Sequence, residues 1–331
     1  MSKVSLTGIK PSGTPHVGNY LGMYKPALDL VSDYDAYYFI ADEHALTTVR
    51  DPAEMRQLSY EAAAAWVALG LDPEKVVLYR QADIPEVFEL AWILSCVTPK
   101  GLMNRAHAYK AVVDDNTGAG RPPDDGVVMG LYNYPILMAA DILIVDANVV
   151  PVGEDQKQHV EIARDIAEAF NRFYGDVLVL PEAHIEESVA VVPGLDGRKM
   201  SKSYGNVIPI FAPAAEQRKL VMRIVTDSRP PEEPKDPETD NLFKLFEFFG
   251  APQDVESVRR RYVEGGIGYG DVKKMLADAV QRRFEEPSRV YNELMADTSR
   301  IDAILAAGAE RARTVTRATL RRVRRAVGID G

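Results

Sequence analysis

A chain of 331 residues with 46% hydrophobic and 27% charged side chains is long enough for two domains and has ordinary globular composition. Its formal charge of −10 argues against an overall basic coat, so any nucleic-acid partner has to be met by a local basic face. No apolar run nears the ~20 residues that span a bilayer, no basic-then-apolar leader opens the sequence, and the single cysteine excludes an intrachain disulfide. The expectation is a soluble cytoplasmic protein in which Cys96, within the apolar run Ala91 to Val97, is a small buried hydrophobe.

The first predicted element is a strand over Val4 to Ile9, and Tyr20 to Leu30 has apolar residues at helical spacing. The residues between, Pro11-Ser12-Gly13-Thr14-Pro15-His16-Val17-Gly18-Asn19, therefore form a strand-to-helix turn. Unpaired N–H groups and the positive end of a helix dipole make such a turn a phosphate site. It carries neither Gly-x-Gly-x-x-Gly nor a Walker loop. Ala36 to Ala41 reads as a buried strand, closed by Asp42-Glu43-His44, whose blander reading is a cap or loop. A helix over Glu54 to Gly70, a strand over Lys75 to Gln81 and a further helix over Ala82 to Arg105 follow. Glycines, prolines and acids from about 113 to 126 predict a mobile loop. Then come an apolar helix (Val127 to Ile144), a strand into a polar turn (Val149 to Gly153), an amphipathic helix (Gln156 to Phe173) and a fifth strand (Val177 to Leu180).

Strands alternating with helices predict an α/β fold, a Rossmann-like doubly wound parallel sheet over residues 1–206 with ligands at one edge. Beyond Asn206 strand signals vanish, and a C-terminal helical domain is expected over 207–331. Arg229 to Asp240, with four prolines and five acids, is an exposed connection, while the aromatic stretch Asn241 to Phe249 is a core or interdomain contact. The last helix, Ala309 to Val327, sets Arg311, Arg313, Arg317, Arg321, Arg322, Arg324 and Arg325 against one acid, Glu310. That is either a solvated face or a phosphate-binding one.

Two groups of residues carry chemistry. Lys199 and Lys202 stand three apart in a loop preceded by Gly194, Asp196 and Gly197, placed to close over a triphosphate and neutralise a departing pyrophosphate. In the apolar helix, Tyr134, Met138 and Asp141 share one face. A carboxylate there costs several kcal/mol without donors. Either a backbone or arginine partner satisfies Asp141, or a ligand does, and a thioether beside one acceptor suits a large ring with one donor and no acceptor. Indole is the side chain of that description.

His16-Val17-Gly18-Asn19 and Lys199-Met200-Ser201-Lys202-Ser203, in this order, resemble the HIGH and KMSKS elements of class I aminoacyl-tRNA synthetases, with Asn19 in place of the final His. With Gly8 to Gly13, Tyr134 to Asp141 and Gly153-Glu154-Asp155-Gln156-Lys157-Gln158-His159, the chain resembles the bacterial-type tryptophanyl branch of that family over essentially its whole length. The resemblance implies that His16, Lys199 and Lys202 are catalytic. It implies ATP contacts from Lys10, Pro11, Ser12, Gly18, Asn19, Gly153, Glu154, Asp155, Val192, Lys199, Met200, Ser201, Lys202 and Ser203. Tyr134 and Gln156 would hold the amino group of L-tryptophan, Met138 would line its pocket and Asp141 would accept the indole N–H. ATP would be a substrate carrying Mg²⁺, with no metal site on the protein itself. The partners implied are tRNA(Trp), met in part by Arg317, Arg321 and Arg324, and a second copy of the chain in a homodimer, with no membrane. Lys10 departs from the pattern by standing where glutamine is common, and Lys110 is a candidate third phosphate-facing lysine. Two rivals stay open: a tyrosyl-specific relative, and a synthetase-like paralogue that binds tryptophan or a protein partner without charging tRNA.

Overall fold

The computed structural model describes residues 3–153, 156–185 and 191–330. Five strands, β1 (Val4–Ile9), β2 (Asp35–Ile40), β3 (Val77–Arg80), β4 (Val149–Pro151) and β5 (Glu182–His184), pair in the order β3-β2-β1-β4-β5, every pair parallel. Parallel neighbours need long crossovers, and helices supply them. After β1 come α1 (Val17–Asn19), a π turn (Tyr20–Tyr24) and α2 (Lys25–Asp29), in place of the one helix expected there. After β2 come α3 (Asp42–Ala45) and α4 (Pro52–Ala68). Between β3 and β4 lie α5 (Glu86–Ser95), α6 (Lys100–Met103), α7 (His107–Gly118) and α8 (Met129–Ile144), and α9 (Lys157–Tyr174) leads to β5. The remainder is α10 (Ala214–Met222), α11 (Asn241–Phe249), α12 (Pro252–Glu264), α13 (Tyr269–Ala296) and α14 (Ser299–Val327).

The central strands are largely buried on both faces, as in parallel sheets, while the edge strand β5 is only partly covered. Alternation along β2 sends Tyr38 and Ile40 into one core with Trp66, Leu245 and Phe284, and Phe39 into the other with Tyr79, Leu143 and Phe170. Chain order reverses about β1, so a crevice opens between β1 and β4 at their C-terminal ends, where ligands bind in doubly wound sheets.

Several expectations are corrected. Val177 to Leu180 is not a strand, because the Asn171 side chain takes the N–H groups of Val177 and Leu178 and donates to the Leu178 carbonyl, diverting that backbone from the sheet. The fifth strand starts at Glu182, opposite Val149. The run read as one helix over 82–105 is broken, with Pro85 capping α5 and Pro99 capping α6, where proline restricts the residue before it. Helix α7 fills the first half of the expected loop, and Asn116 Nδ2 ties the rest back by donating to the carbonyls of Pro123 and Asp125. Cys96 is exposed at the end of α5, not buried.

The segment after Asn206 is helical among the described residues, yet its last helix returns to the sheet: Ile301 and Leu305 of α14 join one core, Leu320 and Val323 the other. Gly308 permits this, since a Cβ there would overlap the carbonyl oxygen of Leu78 in β3. Alanine would gain about 1 kcal/mol in helix propensity but would push α14 off the strand. Gly308→Ala should therefore lower stability by about 2–3 kcal/mol in urea titrations, in the range of core overpacking. An unchanged or higher midpoint would contradict this packing.

Candidate active site

The turn after β1 becomes a helix start because His16, extended at φ −119° and ψ 169°, caps α1. His16 Nδ1 accepts the N–H of Asn19 (3.3 Å), while Asn19 Oδ1 accepts the N–H of His16 (3.1 Å), a reciprocal capping box. An amide side chain in the motif's last place thus has a structural use. Since Nδ1 accepts, the ring proton sits on Nε2 as a donor. Burial, with the Lys202 ammonium adding to it, pushes the His16 pKa down to about 4.

Residues 192–210 are folded onto this turn. The N–H of Val17 donates to Ile208 O (2.9 Å) and that of Ile210 to Pro15 O (3.1 Å), and His16 and Pro209 form an antiparallel bridge. Met200 N–H donates to Val192 O (2.9 Å), and the buried Met200 sulfur accepts the N–H of Gly18 (3.2 Å). Glycine at 18 keeps this contact close, because a Cβ would stand 3.0 Å from the His16 ring and 3.2 Å from Met200 Cβ and would press both aside. Lys202 Nζ donates to Ser12 O (2.9 Å) across 190 positions, and desolvation lowers its pKa. Ser201 and Ser203 share a hydroxyl hydrogen bond (2.8 Å), and Lys199 is exposed.

The loop at 199–203 has an anchor in Asn206, which in the sequence marks only the end of the sheet-forming part. Buried Asn206 accepts the N–H of Ser201 (2.8 Å) and donates to Asp196 Oδ1 (2.7 Å) and Lys199 O (3.1 Å). A polar residue just past a basic loop is the only signal that could have found it.

The second half of the site lies at the ends of β2 and β3. Asp141 of α8, 2% exposed, accepts from Gln81 Nε2 at 2.8 Å (Oδ1) and 2.9 Å (Oδ2), and from His44 Nε2 at 2.9 Å (Oδ2). Burial raises its pKa, and the His44 and Gln81 hydrogen bonds oppose that rise. Its partners are therefore neither backbone nor arginine. Nothing in the sequence singles out Gln81, and His44 reads there as part of a cap or loop that could also be functional. Tyr134 and Met138 are half-buried on the same helix, and the Tyr134 hydroxyl meets His159 Nε2 (3.1 Å). Half-buried Lys10 links the halves: its ammonium, whose pKa burial lowers, donates to Thr47 Oγ1 (3.1 Å), and that hydroxyl donates to His44 O (2.8 Å).

At the end of β4 the N–H of Gln156 donates to Gly153 O (2.9 Å); Glu154 and Asp155 lie outside the described residues. Lys110 is exposed on α7. Among the described residues no group of three or more His, Cys, Asp or Glu is arranged to hold a metal ion, and no helix is long and apolar enough to cross a membrane.

The arginines of α14 are not a free basic face. Arg317 pairs with Glu86 (2.9 Å), Arg324 with Glu89 (2.6 Å) and Arg322 with Asp146 (2.6 Å), while Arg311 and Arg313 donate to the carbonyls of Pro73 and Asp83. Acids distant in sequence supply the balance missing along the helix. Exposed Arg321 has no hydrogen bond or ion pair among the described residues, and lines a cleft of about 400 Å³ with Glu86, Glu89, Arg317 and Arg324.

Residues 3–285 match the family described as tRNA synthetases class I (W and Y). The chain is 53% identical over 328 residues to the tryptophan–tRNA ligase of Bordetella parapertussis, covering 98% of this chain and 72% of the relative, and 51% identical over 329 residues to that of Pseudomonas aeruginosa (98% and 73%). It superposes on the tryptophanyl-tRNA synthetase of Campylobacter jejuni, complexed with ADP and tryptophan, with a TM-score of 0.89 at 44% identity, covering 98% of this chain and 99% of that one. The tyrosyl-tRNA synthetase of Archaeoglobus fulgidus, at 18% identity and a TM-score of 0.63, shares the fold over 87% of this chain and 90% of its own.

A His16 buried neutral has a sign. Its folded pKa of about 4 lies below the ordinary 6.5, so between these values the unfolded chain binds more protons, and His16's contribution to stability is lost as pH falls through that window. An NMR titration should place the His16 midpoint below 5.5; a midpoint at or above 6.5 would contradict the buried neutral imidazole.

Proposed function

The chain belongs to the class I tRNA synthetases of the tryptophan and tyrosine group, and we propose that it is a tryptophan–tRNA ligase. It activates L-tryptophan with ATP to tryptophanyl-adenylate and pyrophosphate, then transfers the tryptophanyl group to the terminal ribose of tRNA(Trp). One observation carries the reading: a buried carboxylate with acceptor capacity to spare stands at the same sheet edge as a phosphate-type turn closed by a two-lysine loop.

In the first step a tryptophan carboxylate oxygen attacks the α-phosphorus as the bond from that phosphorus to the β-phosphate bridging oxygen breaks, and that electron pair leaves with pyrophosphate. The protein supplies position and charge rather than a covalent nucleophile. On the family resemblance, Lys10, Pro11, Ser12, Gly18, Asn19, Gly153, Glu154, Asp155, Val192 and Lys199 to Ser203 contact ATP. Neutral His16 offers its Nε2–H to a phosphate oxygen. The Gly18 N–H, now on the Met200 sulfur, and the Lys202 ammonium, now on a neutral carbonyl, have weak partners that a triphosphate replaces with charged acceptors. Mg²⁺ would belong to the ATP substrate, where it would supply charge neutralisation on the phosphates.

Asp141 accepts the indole N–H, Met138 packs on the ring, and Tyr134 and Gln156 hold the amino group. A phenol would bring an acceptor that Met138 cannot serve. Of the arginines assigned to tRNA, Arg321 is the most available, Arg317 and Arg324 being shared with α5. A homodimer fits the exposure of Trp92, 72% on the outer face of α5, and the cytoplasm is the compartment for tRNA charging.

Two variants separate the steps. Lys202→Ala should slow tryptophan-dependent exchange of pyrophosphate into ATP by about two orders of magnitude with little change in tryptophan affinity, because its charge acts on charge developing in the transition state. Arg321→Ala should leave exchange intact while weakening tRNA charging and reducing its salt slope by about one. Undiminished exchange with Lys202→Ala would overturn the assignment of the loop.

A further inference from the structure

We propose that Gln81 and His44 are positioning residues that fill every acceptor site of Asp141 except one on Oδ1, and so make this acid a reader of a single donor. The inference rests on the tryptophan reading and names residues that neither the motifs nor the family resemblance assigned. Each carboxylate oxygen has about two acceptor positions. Gln81 Nε2 is one donor shared between Oδ1 (2.8 Å) and Oδ2 (2.9 Å), and His44 Nε2 adds a second partner on Oδ2 (2.9 Å), which is then full, while Oδ1 has the shared donor alone. No other hydrogen bond among the described residues reaches Oδ1. One position is left on the oxygen of an acid whose helix face is shared with Tyr134 and Met138.

The network has one orientation. Asp141 can only accept when ionised, so Gln81 must turn its NH₂ toward it, and the Gln81 Oε1 that results faces the His44 backbone N–H (3.4 Å). Gln81 has no exposed surface, so no solvent offers its amide an alternative. The two residues meet because β2 and β3 run parallel with Ile40 opposite Arg80, which brings the segments after both strands side by side. Asp42 then clamps them: its Oδ1 accepts the N–H of Glu43, at the start of α3, and that of Ala82, the residue after Gln81 (both 3.1 Å). Within one turn of α3, His44 is held over Asp141. An aromatic ring with one N–H completes the shell of Oδ1. A ring with no donor leaves that position empty in a desolvated site, the situation in which binding sites reject analogues most strongly.

The test compares equilibrium binding of L-tryptophan with that of its benzothiophene isostere, in which sulfur replaces the ring N–H, on the full chain. The ratio of the two affinities does not depend on the fraction of protein that folds. The wild-type chain should prefer tryptophan by about 30-fold or more, as expected when a buried acceptor goes unpaired. Gln81→Met and His44→Leu, which keep bulk and remove the donors, free the carboxylate to turn or take up a proton, and each should bring the ratio to within about threefold of unity. His44→Gln, which restores an N–H near the Nε2 position, should recover most of the preference. Ratios unchanged in Gln81→Met and His44→Leu, with or without weaker binding of both ligands, would overturn the positioning role while leaving the tryptophan reading intact. A wild-type chain that binds both ligands equally would instead overturn the reading of Asp141 on which the inference rests.

Discussion

The cost of burying the Asp141 charge organises the ligand end of this protein. An ionised carboxylate amid the apolar residues of α8 is held only if donors reach it from outside its own helix. Those donors come from the ends of β2 and β3, two adjacent parallel strands whose register determines whether His44 and Gln81 arrive together. The sheet, α8 and the short helix α3 are thereby coupled through one atom pair. A slip of β3 by one residue would withdraw Gln81 and leave a buried charge half-satisfied.

A second coupling runs across the chain. The turn after β1 and the loop at 199–203 are 182 positions apart at Gly18 and Met200, yet they are joined by the Gly18 N–H on the Met200 sulfur and by Lys202 on the Ser12 carbonyl, with the His16–Pro209 bridge just beyond the loop. This brings positive charge to the turn: the Lys202 ammonium rests on a carbonyl, with Glu61 acting on it only as a more distant charge, and His16 is neutral. A phosphate chain arriving there finds donors already oriented, which is how a site lowers the reorganisation cost of charge movement. Glycine opens space at two such meetings: at Gly308 for the β3 backbone, and at Gly18 for the His16 ring and the Met200 side chain.

Much of this was legible in the sequence, for reasons that differ by feature. The parallel sheet was readable because buried strands such as Ala36 to Ala41 are continuous apolar runs, and the turn at 11–19 because strand and helix signals bracket it. Asp141 stood out as a charge where periodicity demanded an apolar residue. What periodicity cannot carry is partnership across space. Gln81 and Asn206 are ordinary polar residues in sequence and become hubs only when distant segments meet. The α14 arginines looked unbalanced because their acids, Glu86, Glu89 and Asp146, lie far upstream. The misplaced fifth strand has the same origin, a side-chain competitor, Asn171, for backbone hydrogen bonds. The apolar neighbours of Cys96 suggest burial, but on an amphipathic helix end the face decides, and it lies on the outer one.

The central claim is that one buried acceptor beside a phosphate turn selects tryptophan for activation. Amino-acid-dependent exchange of pyrophosphate into ATP, run separately with each of the twenty amino acids, tests it most directly because it needs no tRNA and isolates the first chemical step. Exchange with tryptophan, and at least about a thousandfold less with tyrosine or phenylalanine, is the predicted result for a site whose donor and acceptor inventory matches indole alone. Equal exchange with tyrosine, or none with any amino acid, would contradict it.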